Sequence, residues 1–370
     1  MSIATEIKRL QDAKTTLKTK INEKNDSEHQ ITDELISDYG TFVDSIQTGG
    51  GDLSDCYVMT PLSNGPIAVA IKKIPILNLA TSSMLNFFNG CTNLEEIPLI
   101  DTSNVANMQL TFASCTSLKT IPLLNTSKVT NMANMFGNCT SLEEVPLIDT
   151  SNVTNMNGMF ISCRKLTKIP LIDTSKVTNM NQMFSDCQGL TSIPLIDTSS
   201  VLEMNTTFQK CYSLKTIPAL DTSNVKYMAT TFNQSGIETI PAINTENVIS
   251  MNTAFSSCNY LTSLPKLNLK SVTNISNMFQ NTTKITELGG FENLGQAYLT
   301  TSSANYANYT LNLSASPNIT HDSLMNVINN LYDIKTAGVK SQQLILGDTN
   351  LAKLSDEEKQ IATDKGWTIS

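Results

Sequence analysis

The chain has 370 residues, 25 Lys+Arg against 33 Asp+Glu for a net charge of −8, and 40% hydrophobic content. An acidic chain with no local Lys/Arg cluster excludes a nucleic-acid backbone as partner. The early apolar run from Ile67 to Ile71 is far shorter than the roughly 18 residues of a membrane span, so no span is expected.

Residues 1–48 are the first predicted unit. Ile3, Ile7, Leu10, Lys14, Leu17 and Ile21 alternate four- and three-residue steps, a heptad pattern with Lys14 at one core position. One reading is a parallel coiled coil that makes a homo-oligomer, a trimer favoured. The other is an amphipathic helix folded back onto Ile31, Leu35, Ile36, Phe42 and Val43. Glu6, Lys8, Arg9, Asp12 and Lys14 interrupt any continuous apolar segment, so a signal peptide is not expected. Gly49, Gly50 and Gly51 read as a flexible break that opens a linker and N-terminal cap over 49–73.

A repeat array is predicted over 74–289. Nine prolines, Pro75, Pro98, Pro122, Pro146, Pro170, Pro194, Pro218, Pro241 and Pro265, are 23 or 24 residues apart, and nine phenylalanines from Phe88 to Phe279 keep the same step. In the unit from Cys139 to Cys163, Val153, Met156, Phe160 and Cys163 lie at i, i+3, i+7 and i+10, the spacing of one face of a short α-helix. Ser151 is the expected N-cap, and Asp149 and Thr150 suit an Asx or ST turn before it. Leu142, Val145 and Leu147 form an extended stretch in which Pro146 forbids helix. The expected fold is therefore an α/β solenoid of about nine strand–helix units, each dependent on its neighbours for a shared core.

Residues 290–370 read as a C-terminal α/β cap. It has a strand at Leu311 to Leu313, a helix from Thr320 carrying Leu324, Val327, Ile328 and Leu331, a strand at Leu344 to Leu346, and a helix capped by Ser355 with Glu358.

The order C-x-x-L-x-x-I-P followed by V-x-x-M-x-x-x-F-x-x-C resembles the BspA-type leucine-rich repeat, and DTSNVTNM with MF resembles the related 26-residue repeat of bacterial surface proteins. The resemblance covers about residues 74–283. One departure is the Pro after the strand Ile, which removes a ladder donor once per turn. The head SIATEIKRLQDAKTTLKTKI and the tail THDSLMNVINNLYDIKTAG resemble segments that flank such arrays in phage and prophage virion proteins. Together these resemblances imply a non-enzymatic virion appendage, a head or tail fibre. Its N-terminal segment would dock other virion proteins while the solenoid faces a host-surface glycan or protein. A BspA-like bacterial surface adhesin is the alternative, although the end GWTIS carries no wall-sorting signal, and a polysaccharide-cleaving fibre is a third reading.

The residues offer little chemistry. Seven of eight cysteines share one repeat position (Cys91, Cys115, Cys139, Cys163, Cys187, Cys211, Cys258), and Ser235 and Thr282 replace it in two copies. Helices stacked about 8–10 Å apart would hold them beyond disulfide reach, so core thiols are expected. The Asp/Asn column from Asn78 to Asn268 supplies one short side chain per turn, too few oxygens for calcium, so local turn bonding is expected. His29 and His321 lie in no catalytic motif, and no cofactor or metal is expected. Glu95-Glu96 and Glu143-Glu144 are adjacent carboxylates expected on opposite sides of a strand, a poor acid/base pair.

The pairs between strand Leu and strand Ile vary most between copies. They make Glu95, Lys119, Glu143, Lys168 and Lys215 binding candidates, or equally mark drift on a solvated face. Tyr298, Tyr306 and Tyr309 offer aromatic faces among Ser, Thr and Asn, suited to glycan contact or to packing on the last repeat.

Overall fold

The computed structural model describes residues 81–97, 100–297 and 310–370, with the backbone of two short strands, β1 (Ile46–Thr48) and β2 (Cys56–Val58). The heptad positions Ile3, Ile7, Leu10, Lys14, Leu17 and Ile21, and the alternative partners Ile31 to Val43, lie outside the described residues. Strands β1 and β2 pair antiparallel, Ile46 opposite Val58, and the glycine run expected as a flexible break lies outside the described residues.

From residue 81 onward the chain winds into stacked coils. In the unit from Cys139 to Cys163, the side chains of Cys139, Leu142, Val145, Ile148, Val153, Met156, Met159 and Phe160 are all buried. Each coil thus contributes one slice to a continuous core. The phenylalanines lie directly over one another from Phe88 to Phe279, nearly parallel, with ring centroids 5.4 Å apart at Phe88–Phe112 and 5.9 Å apart at Phe160–Phe184. The predicted period and core face are therefore those of the molecule.

The predicted helix is not. Val153, Met156, Phe160 and Cys163 face inward as expected, but the backbone from Asn155 to Cys163 is a run of tight turns. Met159, Ile161 and Cys163 donate three residues back to Met156, Gly158 and Phe160, at 3.1, 3.0 and 3.0 Å. Their alternates Met156, Gly158, Phe160 and Ser162 donate to Asn179, Asn181, Met183 and Ser185 of the next coil, at 3.1, 2.8, 3.0 and 2.7 Å. Gly158 and Ser162 take left-handed conformations (φ 58° and 59°), and the same pair of positions does so in every coil from Asn86 and Gly90 to Asn277 and Asn281. The reason is spacing. An α-helix is about 10 Å wide, whereas coils that hydrogen-bond to each other advance about 4.8 Å. A path that sends every second N–H to its neighbour keeps the narrow step, and the left-handed residues are its cost.

The parallel ladder also falls on the side where helix was expected. Single bridges run Ser83, Asn107, Asn131, Asn155, Asn179, Glu203, Tyr227, Ser250, Asn274. The proline side pairs sparsely, through bonds such as Glu143 N–H to Lys119 O at 2.9 Å. Among the described residues of the array, short parallel strands form at its end, where β3 (Ser263–Leu264) and β4 (Leu267–Asn268) pair with β5 (Glu287–Leu288) and β6 (Phe291–Glu292). The missing proline donor has the effect anticipated from the sequence.

Asp149 makes the expected Asx turn, its Oδ1 accepting from Ser151 N–H at 3.0 Å. Thr150 does not make an ST turn. Its buried hydroxyl reaches the next coil and donates to Asp173 O at 2.7 Å, and Thr102, Thr126, Thr174, Thr198, Thr222 and Thr245 do the same. Ser151 therefore caps no helix.

The cap follows the expected order. Strands β7 (Thr310–Asn312), β8 (Gln342–Ile345) and β9 (Trp367–Ile369) form a parallel sheet with β8 central. Helix α1 (His321–Asn330) joins β7 to β8, and α2 (Asp348–Leu351) and α3 (Asp356–Asp364) join β8 to β9. Thr320 caps α1, and Ser355 with Glu358 makes a reciprocal capping box on α3. Leu288 N–H donates to Ser323 Oγ and Thr320 N–H to Thr286 O, both at 2.9 Å, which ties the cap to the last coil. Buried Trp367 donates its indole N–H to Tyr332 O at 3.0 Å. Among the described residues no helix is long and apolar enough to cross a membrane.

Candidate binding surface

The proline side presents the columns that the sequence marks as variable. Glu95, Lys119, Glu143, Lys168 and Lys215 are all exposed, and they fall on one face because they occupy two adjacent repeat positions, Lys168 the second and the others the first. Their neighbours Glu96, Thr120, Glu144, Thr167 and Thr216 are exposed too, which corrects the expectation that adjacent members point to opposite sides. Leu142 N–H bonds back to Cys139 O at 3.0 Å, so the chain is still turning here, and two outward residues separate buried Leu142 from buried Val145. Lys215 pairs with Glu238 of the next coil at 3.1 Å, both half exposed.

Beside these pairs runs a stripe absent from the sequence reading. Leu123, Leu147, Leu171 and Leu195 are 61–64% exposed, one per coil in four successive coils. Leu147 lies in the predicted extended stretch with Val145, yet Ile148 rather than Leu147 is buried. In the next copies Ile196 N–H donates to Pro194 O and Leu220 N–H to Pro218 O, each at 2.9 Å, a three-residue turn with the intervening residue at its outward apex. The signal was present in the sequence as Pro-Leu-Ile repeated at this position, where Pro sets up the turn.

On the far side of the leucines lie Asn125, Asp149, Asp173, Asp197 and Asp221, all exposed. The Ser151 hydroxyl and amide hold the Asp149 carboxyl below the usual carboxylate range, and Ser175 does so for Asp173. Local turn bonding is thus what these carboxylates do. Among the described residues no group of His, Cys, Asp and Glu is placed to hold a metal ion.

The seven array cysteines are free, buried thiols. Wide helix spacing is not what keeps them apart, because the coils are close. Instead the thiols from Cys115 onward donate to backbone carbonyls: Cys139, Cys163 and Cys187 donate to those of Phe112, Phe136 and Phe160 at 3.0, 3.1 and 3.0 Å. Ser235 and Thr282 suit the same place, and the Thr282 hydroxyl donates to Phe255 O at 2.5 Å. His321 sits after the α1 cap as expected, with Nε2 2.9 Å from Glu358 Oε1 of α3. Tyr298, Tyr306 and Tyr309 lie outside the described residues.

Two surface cavities are recorded. One, of about 560 Å³, lies between the last coil and β7, lined by Asn277, Gln280, Asn281 and Asn312 among others. The second, of about 330 Å³, is lined by Tyr212, Gln234, Ser235, Gly236, Ser257, Asn259 and Tyr260. No carboxylate lines either one.

Stacked coils of one period, sharing one core and closed by an α/β cap, define a repeat solenoid. A family model described as "Mycoplasma protein of unknown function, DUF285" matches residues 82–196 and 190–292, more than half of the chain, and the chain belongs to that family. No curated protein matches the chain. Among solved structures, a leucine-rich cell surface protein from Faecalibacterium prausnitzii is 17% identical with a TM-score of 0.37, covering 80% of this chain and 86% of that one. A leucine-rich repeat protein from Bacteroides ovatus is 14% identical with a TM-score of 0.31, covering 88% of this chain and 98% of that one.

Proposed function

We propose that the protein is a non-enzymatic recognition rod whose proline-side face docks onto a macromolecular surface. The observation that carries this reading is the stripe of Leu123, Leu147, Leu171 and Leu195. Four large apolar side chains held in water, about 4.8 Å apart along a rigid array, are a contiguous patch of the kind that interaction sites leave exposed. The variable charged column beside it supplies selectivity, so Glu95, Lys119, Glu143, Lys168 and Lys215 are rim residues and the leucines are the contact line. A protein on a host surface fits that chemistry better than a glycan does.

Replacing Leu147 and Leu171 together with Ser tests the reading. Binding to host cells falls about tenfold or more while the melting temperature is unchanged, since neither side chain is in the core. Unaltered attachment by a folded double variant refutes the face. Release of no sugar from host glycan accompanies attachment on this reading.

The setting follows from the resemblance of head and tail: a virion appendage carried as a homo-oligomer, a trimer, through Ile3, Ile7, Leu10, Lys14, Leu17 and Ile21. Antibody labelling of phage particles tests the location, and labelling of bacterial cells alone favours an adhesin. Light scattering on the full chain and on a chain lacking residues 1–24 tests the assembly, which becomes monomeric on truncation.

A further inference from the structure

One coil is short. The step from Phe208 to Phe232 is 24 residues and from Phe232 to Phe255 is 23. The missing residue falls after Ser235, where Gly236 alone does what two residues do in other coils, Tyr212-Ser213 before it and Asn259-Tyr260 after it. Gly236 N–H donates to Cys211 O at 3.0 Å, and a Cβ at Gly236 would stand 2.0 Å from Tyr212 O. Only glycine fits, so the ridge formed by these turns has a gap floored by backbone. That gap is the 330 Å³ cavity.

Its walls have a distinct chemistry. Tyr212 and Tyr260 stand on either side, 46% and 48% exposed, the coils that bear them about 10 Å apart as two ladder steps. Gln234, Ser257 and Asn259 add amide and hydroxyl groups between them. Lys215 comes from the coil of Tyr212 and Lys284 from the coil after Tyr260, their Nζ atoms 4.4 and 5.0 Å from the Tyr260 ring centroid. Lys215 shares its charge with Glu238, whereas both cations converge on one tyrosine. Two tyrosines flanking the gap, polar groups between them and positive charge beside Tyr260 match a pyranose that carries a carboxylate.

We infer that this gap is a binding site for a carboxylated saccharide unit, a sialoside or a uronate. The site lies apart from the leucine stripe and gives the rod a second contact on a host surface, so it extends the recognition reading and rests on it only for its biological setting.

Saturation-transfer NMR on the full-length protein, with 3′-sialyllactose, methyl glucuronide, lactose and methyl glucoside as probes, tests the inference. Transfer to the two carboxylated probes is expected, with that to the neutral ones about tenfold weaker. The stronger of the first pair names the source of the acid. Tyr260→Ala and a Lys215→Gln/Lys284→Gln double variant abolish the preference without moving the melting curve. Should Tyr260→Ala unfold the chain, Asn259→Ala serves, as its side chain is exposed. No transfer from either acidic probe, or equal transfer in every variant, overturns the site. Host-cell attachment by the same proteins separates the two claims: attachment that depends on Leu147 and Leu171 without saccharide transfer removes the gap alone, whereas saccharide transfer with attachment indifferent to the leucines removes the face alone.

Discussion

The thiol of Cys139 donates to the carbonyl of Phe112, 27 residues earlier, at 3.0 Å, and so does what a backbone donor would do between coils. Burial pushes the Cys139 thiol up to about 12 and the Cys258 thiol likewise. A thiol so placed is no nucleophile at neutral pH. The array cysteines are expected to resist maleimide in the native protein and to react fully in denaturant, as mass spectrometry would report. Cys139→Ala removes one of the two donors to the Phe112 carbonyl, which keeps the Cys115 N–H, and costs about 1 kcal/mol in a denaturant melt, with Cys139→Ser milder because it keeps a donor.

Phe160 is 1% exposed and stacks on Phe136 and Phe184 at 5.8 and 5.9 Å. Phe160→Ala removes a ring from the middle of the stack and is expected to cost about 3–5 kcal/mol. Chemical denaturation followed by circular dichroism measures it, and a neutral result means that the core face has been misassigned.

Thr150→Val is nearly isosteric and leaves the core filled, but it removes the bond to Asp173 O, at 2.7 Å one of the shortest between coils. A loss of about 1 kcal/mol is expected, because the acceptor is left with one partner fewer at a partly buried position. The same substitution at exposed Thr154 changes stability by less than about 0.5 kcal/mol.

The cap has a pH signature. Its hydrogen bond to Glu358 raises His321 above the usual 6.5, and the Ser355 amide, with His321, lowers Glu358 below the usual 4.5. A raised histidine stabilises the fold below its unfolded value and loses that contribution as pH rises through the folded one; a lowered carboxylate loses its contribution as pH falls. The α1–α3 contact is therefore strongest between pH 4.5 and 6.5. NMR titration of His321 should show its midpoint fall toward 6.5 in Glu358→Gln.

Much of this architecture is legible without coordinates, and the reasons differ by element. The Phe column and the capping signals at Thr320 and Ser355 rest on period and on local hydrogen bonds, which a sequence writes directly. The backbone between Val153 and Cys163 does not, because an inward spacing of three and four residues suits a helix and a chain of three-residue turns alike. Only the requirement that neighbouring coils bond at a narrow step decides between them. The outward turn of Leu147 was not legible for a related reason: an extended stretch reads as straight, and the chain bends at Pro146. The gap at Gly236 was visible as a single missing residue, yet its meaning depends on which side chains flank it in neighbouring coils.

The bond between Thr150 and Asp173 reappears unchanged between Thr174 and Asp197, so cutting out the 24 residues between equivalent points leaves two surfaces that still match. Recombination within the gene can then lengthen or shorten the molecule in increments of about 4.8 Å while every junction stays satisfied. Reach becomes a heritable variable, tuned by copy number independently of the residues that touch a target.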